Sequence, residues 1–130
     1  MSTLPDPKIT ALLKPMLKKR LFVALSKAIA SPAQMLPHVE EHLEYMNRME
    51  NEGKLFASGP FLQEGVLVGD GMTILQTDTI EEAYAIMQAE PLIGRGLRTF
   101  DLRPWELREG RMTINLNAST STFNLLAGPA

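Results

Sequence analysis

Cysteine is absent from the 130 residues, which excludes a disulfide framework, a thiol nucleophile, a Cys-ligated zinc site and an iron–sulfur cluster. A reducing compartment is thereby permitted, and a cytoplasmic location is the expectation. Histidine is nearly as scarce: there are two, and aromatic residues make up 6% with a single Trp. Charge of one sign is lacking as well. The 13 basic and 15 acidic side chains leave a formal net charge of −2, which argues against nucleic acid as the main partner. No apolar run reaches the roughly 18 residues that a spanning helix needs, so no membrane partner is expected. Lys18-Lys19-Arg20 before Leu21–Leu25 superficially resembles a secretory leader, but Lys27 interrupts the run and the charged start is too long, so export is not expected.

What is present is ordinary for a globular domain: 45% hydrophobic and 22% charged residues in a chain of one-domain length. The charge is unevenly spread. Residues 1–20 carry a net +4 and the remainder −6. The organisation expected is therefore a solvated basic extension over 1–20, a folded body over 21–108, and a C-terminal extension over 109–130 that is uncharged from Met112 onward. In the first extension Pro15 interrupts an apolar spacing, so at most short turns are expected. In the last, Thr113–Asn117 reads as an extra strand and the remainder as mobile without a partner.

Within the body, Leu21–Leu25 reads as a first strand. Pro37 is placed to open a helix, and Val39, Leu43, Met46 and Met49 recur at helical steps up to Glu52, with Gly53 as the left-handed cap. Lys54–Ser58 reads as a second strand closed by Gly59-Pro60, Phe61–Gly71 as a hairpin connection, and Met72–Thr77 as a third strand. Thr79 caps a second helix from Ile80, with Glu81 and Glu82 at its positive end, and Pro91 breaks it after Glu90. Leu97–Leu107 is the fourth strand, in which Leu97, Thr99 and Asp101 alternate against Arg98, Phe100 and Leu102. The order βαββαβ predicts an α+β, ferredoxin-like protomer with both helices on one side of the sheet. The open side carries Leu, Val, Ile and Phe, so a homodimer or higher homo-oligomer is expected.

A helix bearing His42, then Gly53-Lys54-Leu55-Phe56-Ala57-Ser58-Gly59-Pro60, then Glu90-Pro91 and Gly96, then Leu102-Arg103-Pro104-Trp105 occur in one order and spacing. Together they resemble the YciI-related (YCII) family over roughly residues 21–108. The resemblance implies a ferredoxin-like protomer that pairs into a dimeric α+β barrel. It also implies a His–Asp pair lining a cleft, and enzyme roles on small molecules. Two positions depart from the family pattern: Glu90 stands where an aspartate precedes the proline, and Val39 where an arginine commonly lies three residues before the histidine.

His42 lies three residues from Val39 and four from Met46, beside the apolar stripe. Desolvation there favours the neutral imidazole and a nearby carboxylate favours the charged one, a balance that suits an acid–base group. Pattern alone fits a buried imidazole bonded to a backbone carbonyl as well; the resemblance implies the catalytic role. Glu90 is expected to orient His42 as carboxylates do in triads, or to cap the turn that follows. Ser58, Gly59 and Pro60 form a backbone corner whose polar groups can face a substrate, with Arg95 serving an anionic one; Arg98 and Arg103 are further candidates for that task. His38 and His42 share a helical face, but with no Cys and no third ligand a metal site is not expected. Gly65–Gly71 lacks the Lys-Ser/Thr of a phosphate loop.

The function expected is a small-molecule enzyme that uses a His–carboxylate pair, with no cofactor. The reaction is proton abstraction with elimination or isomerisation on a small carbonyl, phenolic or lactone compound. The alternatives are a muconolactone-isomerase-like or cofactor-free monooxygenase barrel enzyme, and a non-catalytic ligand-binding accessory protein.

Overall fold

The computed structural model describes residues 6–125. Two compact units are present, Lys19–Glu106 and the segments that flank it in the chain. Among the described residues no helix is long and apolar enough to cross a membrane.

In the flanking unit, α1 (Pro7–Leu13) opens on Asp6, whose carboxylate accepts from the Ile9 amide at 2.9 Å, with Pro7 in the first turn. It exceeds the short turns expected because Pro15 falls after its end rather than inside it. β5 (Ile114–Asn117) and β6 (Thr122–Leu125) pair antiparallel as a separate sheet, so the extra strand pairs with the chain that follows it. Residues 1–5 of the basic extension and 126–130 of the tail lie outside the described residues.

The central unit runs β1 (Lys19–Ala28), α2 (Pro32–Met35), a 3-10 turn (Leu36–His38), α3 (Val39–Asn51), β2 (Leu55–Gln63), β3 (Val66–Leu75), α4 (Ile80–Ala89), α5 (Pro91–Gly94) and β4 (Arg98–Leu107). Its four strands lie in the order β2-β3-β1-β4, the ferredoxin-like arrangement. Pro37 sits in the 3-10 turn rather than opening α3; Pro32 opens the preceding helix α2, behind a capping box of Ser31 and Gln34. α3 ends as expected: Gly53 adopts φ +75°, and the Lys54 and Gly53 amides reach back to Met49 and Glu50 at 2.9 and 3.0 Å.

The hairpin differs from expectation. Gly59-Pro60 does not close β2: the ladder continues through Gly59↔Met72 and Pro60↔Gly71 to Gln63↔Val66. β2 is an edge strand, where a proline without an N–H is tolerated, and the register shifts between Pro60 and Leu62. The turn is the two residues Glu64 and Gly65, both at positive φ (50° and 77°), as a tight right-twisted hairpin requires.

Phe22, Ala24 and Leu75 of the sheet pack with Ala83 and Met87 of α4, while Tyr45, Met46 and Met49 of α3 pack on Leu55 and Ile86. Residues directly opposite in a ladder share a face, so the pairs Phe22↔Leu75, Ala24↔Thr73 and Ser26↔Gly71 all lie on the helix side. That side is apolar at one end and small or polar at the other. The opposite face carries Leu25 and Met72, which are 40% and 37% exposed.

Candidate active site

His42 projects from α3 one turn before buried Tyr45 and Met46, and its side chain is 19% exposed. α3 packs on Leu55, at the start of β2. The earlier turn that bears His42 therefore lies further along β2, toward Ser58 and the polar end of the sheet.

Glu90 is placed by Pro91. A residue before proline is pushed out of helical conformation, and Glu90 accordingly takes φ −63°, ψ 128°, ending α4 and capping α5. Its carboxylate accepts from the Leu92 amide at 3.0 Å and the Ile93 amide at 3.3 Å. The same Oε1 that takes the Leu92 amide also pairs with Nδ1 of His42. Glu90 is 2% exposed. The two residues expected to meet do so, and the capping role expected as the alternative is present as well. With Nδ1 engaged by the carboxylate, Nε2 is the ring nitrogen left for other work.

Arg95 is placed differently from expectation. Its guanidinium forks onto Glu41 of α3 through Nε and through Nη2 at 3.1 Å, so its charge is already matched. The Arg95 contact holds the Glu41 carboxyl below its ordinary range, and the same contact raises Arg95. His38 approaches this carboxylate too, at 3.4 Å. The two histidines thus face different acids, and among the described residues no three metal-ligating side chains gather.

Ser58 Oγ meets Thr73 Oγ1 at 3.1 Å on the helix side of the sheet. Gly59 and Pro60 are exposed rungs of β2 rather than a corner. In the sequence Thr73 carries no signal beyond its place in the third strand, and Arg98 is one arginine of three. The signal for Arg98 is its alternation with Phe100 and Leu102, both of which pack on the core. An open groove of about 620 Å³ beside the start of α4, lined by Arg20, Phe22, Ile80 and Trp105 among others, holds none of the expected site residues.

A βαββαβ sheet in this strand order, with a helix-borne histidine held by the acid before a proline, defines a ferredoxin-like α+β domain of the YCII type. Residues 21–106 match the YCII-related domain, and the chain belongs to that family. It is 31% identical over 72 residues to an uncharacterized protein, YjpA of Bacillus subtilis (strain 168), spanning 55% of this chain and 80% of YjpA. It is similar in fold to 5-chloro-2-hydroxyhydroquinone dehydrochlorinase (TftG) from Burkholderia phenoliruptrix AC1100, solved in complex with 2,5-dihydroxybenzoquinone. The TM-score is 0.57 at 20% identity, covering 65% of this chain and 92% of TftG.

Proposed function

We propose that the chain is a small-molecule enzyme in which His42 is the acid–base group and Glu90 positions it. The observation that carries this reading is the buried Glu90 carboxylate, held by two amides and paired with His42 Nδ1. In this reading Nε2 takes a proton from a carbon or hydroxyl of the substrate, and the imidazolium that forms is stabilised by Glu90 in a low-dielectric setting. The electron pair left behind forms a double bond. In an elimination it expels a leaving group on the neighbouring carbon; in an isomerisation Nε2 returns the proton to a different atom. No cofactor enters either step. Small carbonyl, phenolic or lactone compounds suit this chemistry, and a dehydrochlorinase of similar fold supports elimination as the reaction type. The working form in this proposal is a homodimer.

The test is proton exchange in D2O and leaving-group release over a set of chlorinated hydroxyhydroquinones, hydroxyquinones and lactones. Turnover is expected in the native chain, with a loss of about 10²–10⁴-fold in His42→Ala and a smaller loss in Glu90→Gln. Unchanged turnover in His42→Ala overturns the role of His42, and no turnover by the native chain across the set overturns the reading in favour of a binding protein.

A further inference from the structure

We propose that Arg98 is the anion-recognition group that serves the His42–Glu90 pair, selecting small organic acids whose carboxylate or ionised enol oxygen it binds. This inference rests on the reading of that pair as part of a substrate site.

Arg98 opens β4 and shares the helix side of the sheet with Phe100 and Leu102. It is tied to the pair by a short bonded path. The Gly94 amide donates to the Glu90 carbonyl at 2.7 Å, and the Leu97 amide to the Leu92 carbonyl at 2.9 Å. The turn that aims Glu90 at His42 therefore also sets the start of β4. Beneath the guanidinium lies Gly71, in register with Ser26 on one side and Pro60 on the other. A Cβ there would stand 3.8 Å from Arg98 Nη1 and 3.2 Å from the Gly59 carbonyl oxygen. The tighter of the two is the Gly59 carbonyl, while the guanidinium lies at contact distance over the bare backbone.

What singles out Arg98 is that, among the described residues, no carboxylate pairs with it. Its Nε is enclosed with no hydrogen-bond partner, whereas Arg95 is forked onto Glu41. A buried N–H without a partner is costly and rare in folded proteins, so such a group marks a place where a ligand or ion completes the bonding. Guanidinium is a donor only, permanently charged, and its fork fits a carboxylate. The Ser58 and Thr73 hydroxyls lie on the same side of the sheet and are bonded to one another, which leaves one O–H free to donate. One cation and one free hydroxyl suit a monoanion. In the proposed reaction an acidic oxygen conjugated to the carbon that loses its proton takes up the negative charge, and Arg98 stabilises it as that charge develops.

The experiment is calorimetric titration of the full chain with acetate, benzoate and salicylate, each against its amide. The native chain is expected to bind the acids at least roughly tenfold tighter than the amides. Arg98→Gln should remove that preference, Arg98→Lys should keep part of it, and Lys27→Gln, at an exposed cation of β1, should leave it unchanged. Should Arg98→Gln fail to fold by circular dichroism, the acid-to-amide ratio in Arg98→Lys decides. Equal affinity for acids and amides, native affinity in the Arg98 variants, or no acid binding below about 10 mM overturns the inference. Failure of the acid–base reading looks different: Arg98-dependent binding persists, and persists in His42→Ala, while no proton exchange or leaving-group release is found.

Discussion

Glu90 takes three hydrogen bonds on two oxygens, from the Leu92 amide, the Ile93 amide and His42, and at 2% exposure those bonds replace the water it lost. From the sequence, an imidazole kept for chemistry looks cheap to remove. The burial of its partner changes that, because His42→Ala leaves the carboxylate with amides alone. His42→Ala is expected to destabilise the chain by about 1–3 kcal/mol, and Glu90→Gln by a comparable amount. The double variant should lose less than the two together, with a coupling of about 1 kcal/mol in urea unfolding. Strictly additive losses would show that the two side chains do not interact in solution. The placement of both residues was readable: Pro91 announced that Glu90 leaves the helix, and the stripe Val39, Leu43, Met46, Met49 set His42 at the inward side, although Leu43 itself is exposed.

Between elements, Tyr45 is the fastening of α3 to α4. Its hydroxyl donates to the Ile86 carbonyl at 2.7 Å, and Arg48 stacks over its ring at 5.1 Å. Burial raises the Tyr45 hydroxyl above its ordinary value of 10.0, with Glu90 and Glu52 adding to the shift and Arg48 opposing it. A phenol raised in the folded state gives stability that is complete below the unfolded value and is lost as pH rises through the folded one. Thermal unfolding should therefore be insensitive to this group up to about pH 10 and fall beyond it. Tyr45→Phe should lower stability by about 1 kcal/mol at neutral pH and flatten the alkaline fall. An alkaline limb identical in the variant would assign that fall to other groups. The hairpin was the element least readable from sequence. Pro60 and three glycines look like punctuation, and only the edge position of β2 makes proline harmless within a strand.

At the scale of the whole molecule, the sheet face opposite the helices carries Val23, Leu25, Met72 and Ile74 in two facing pairs, with Leu25 and Met72 well exposed. Apolar area of this kind is a liability in water and is removed by packing against a two-fold copy. In the proposed homodimer the contact buries more than about 1,200 Å² in total. Light scattering at micromolar concentration should report a dimer, and Leu25→Lys or Met72→Lys should shift it to monomer. A native monomer at that concentration removes the proposal.

The sequence by itself determined the order of the four main strands and two main helices, the C-terminal end of α3, both ends of α4 and the inward turn of His42, because helical period, capping residues and proline act over a few residues. It also carried the family resemblance through motifs spaced along the body. Which charges met which was decided only by the tertiary structure. Arg95 and Arg98 lie three residues apart and look alike in the chain, yet one is matched by Glu41 of α3 and the other, beside Gly71, has an Nε without a partner among the described residues. The difference is long-range: residues 54 and 27 positions away in the chain set it, and no local pattern encodes a neighbour that arrives only when helix and sheet pack.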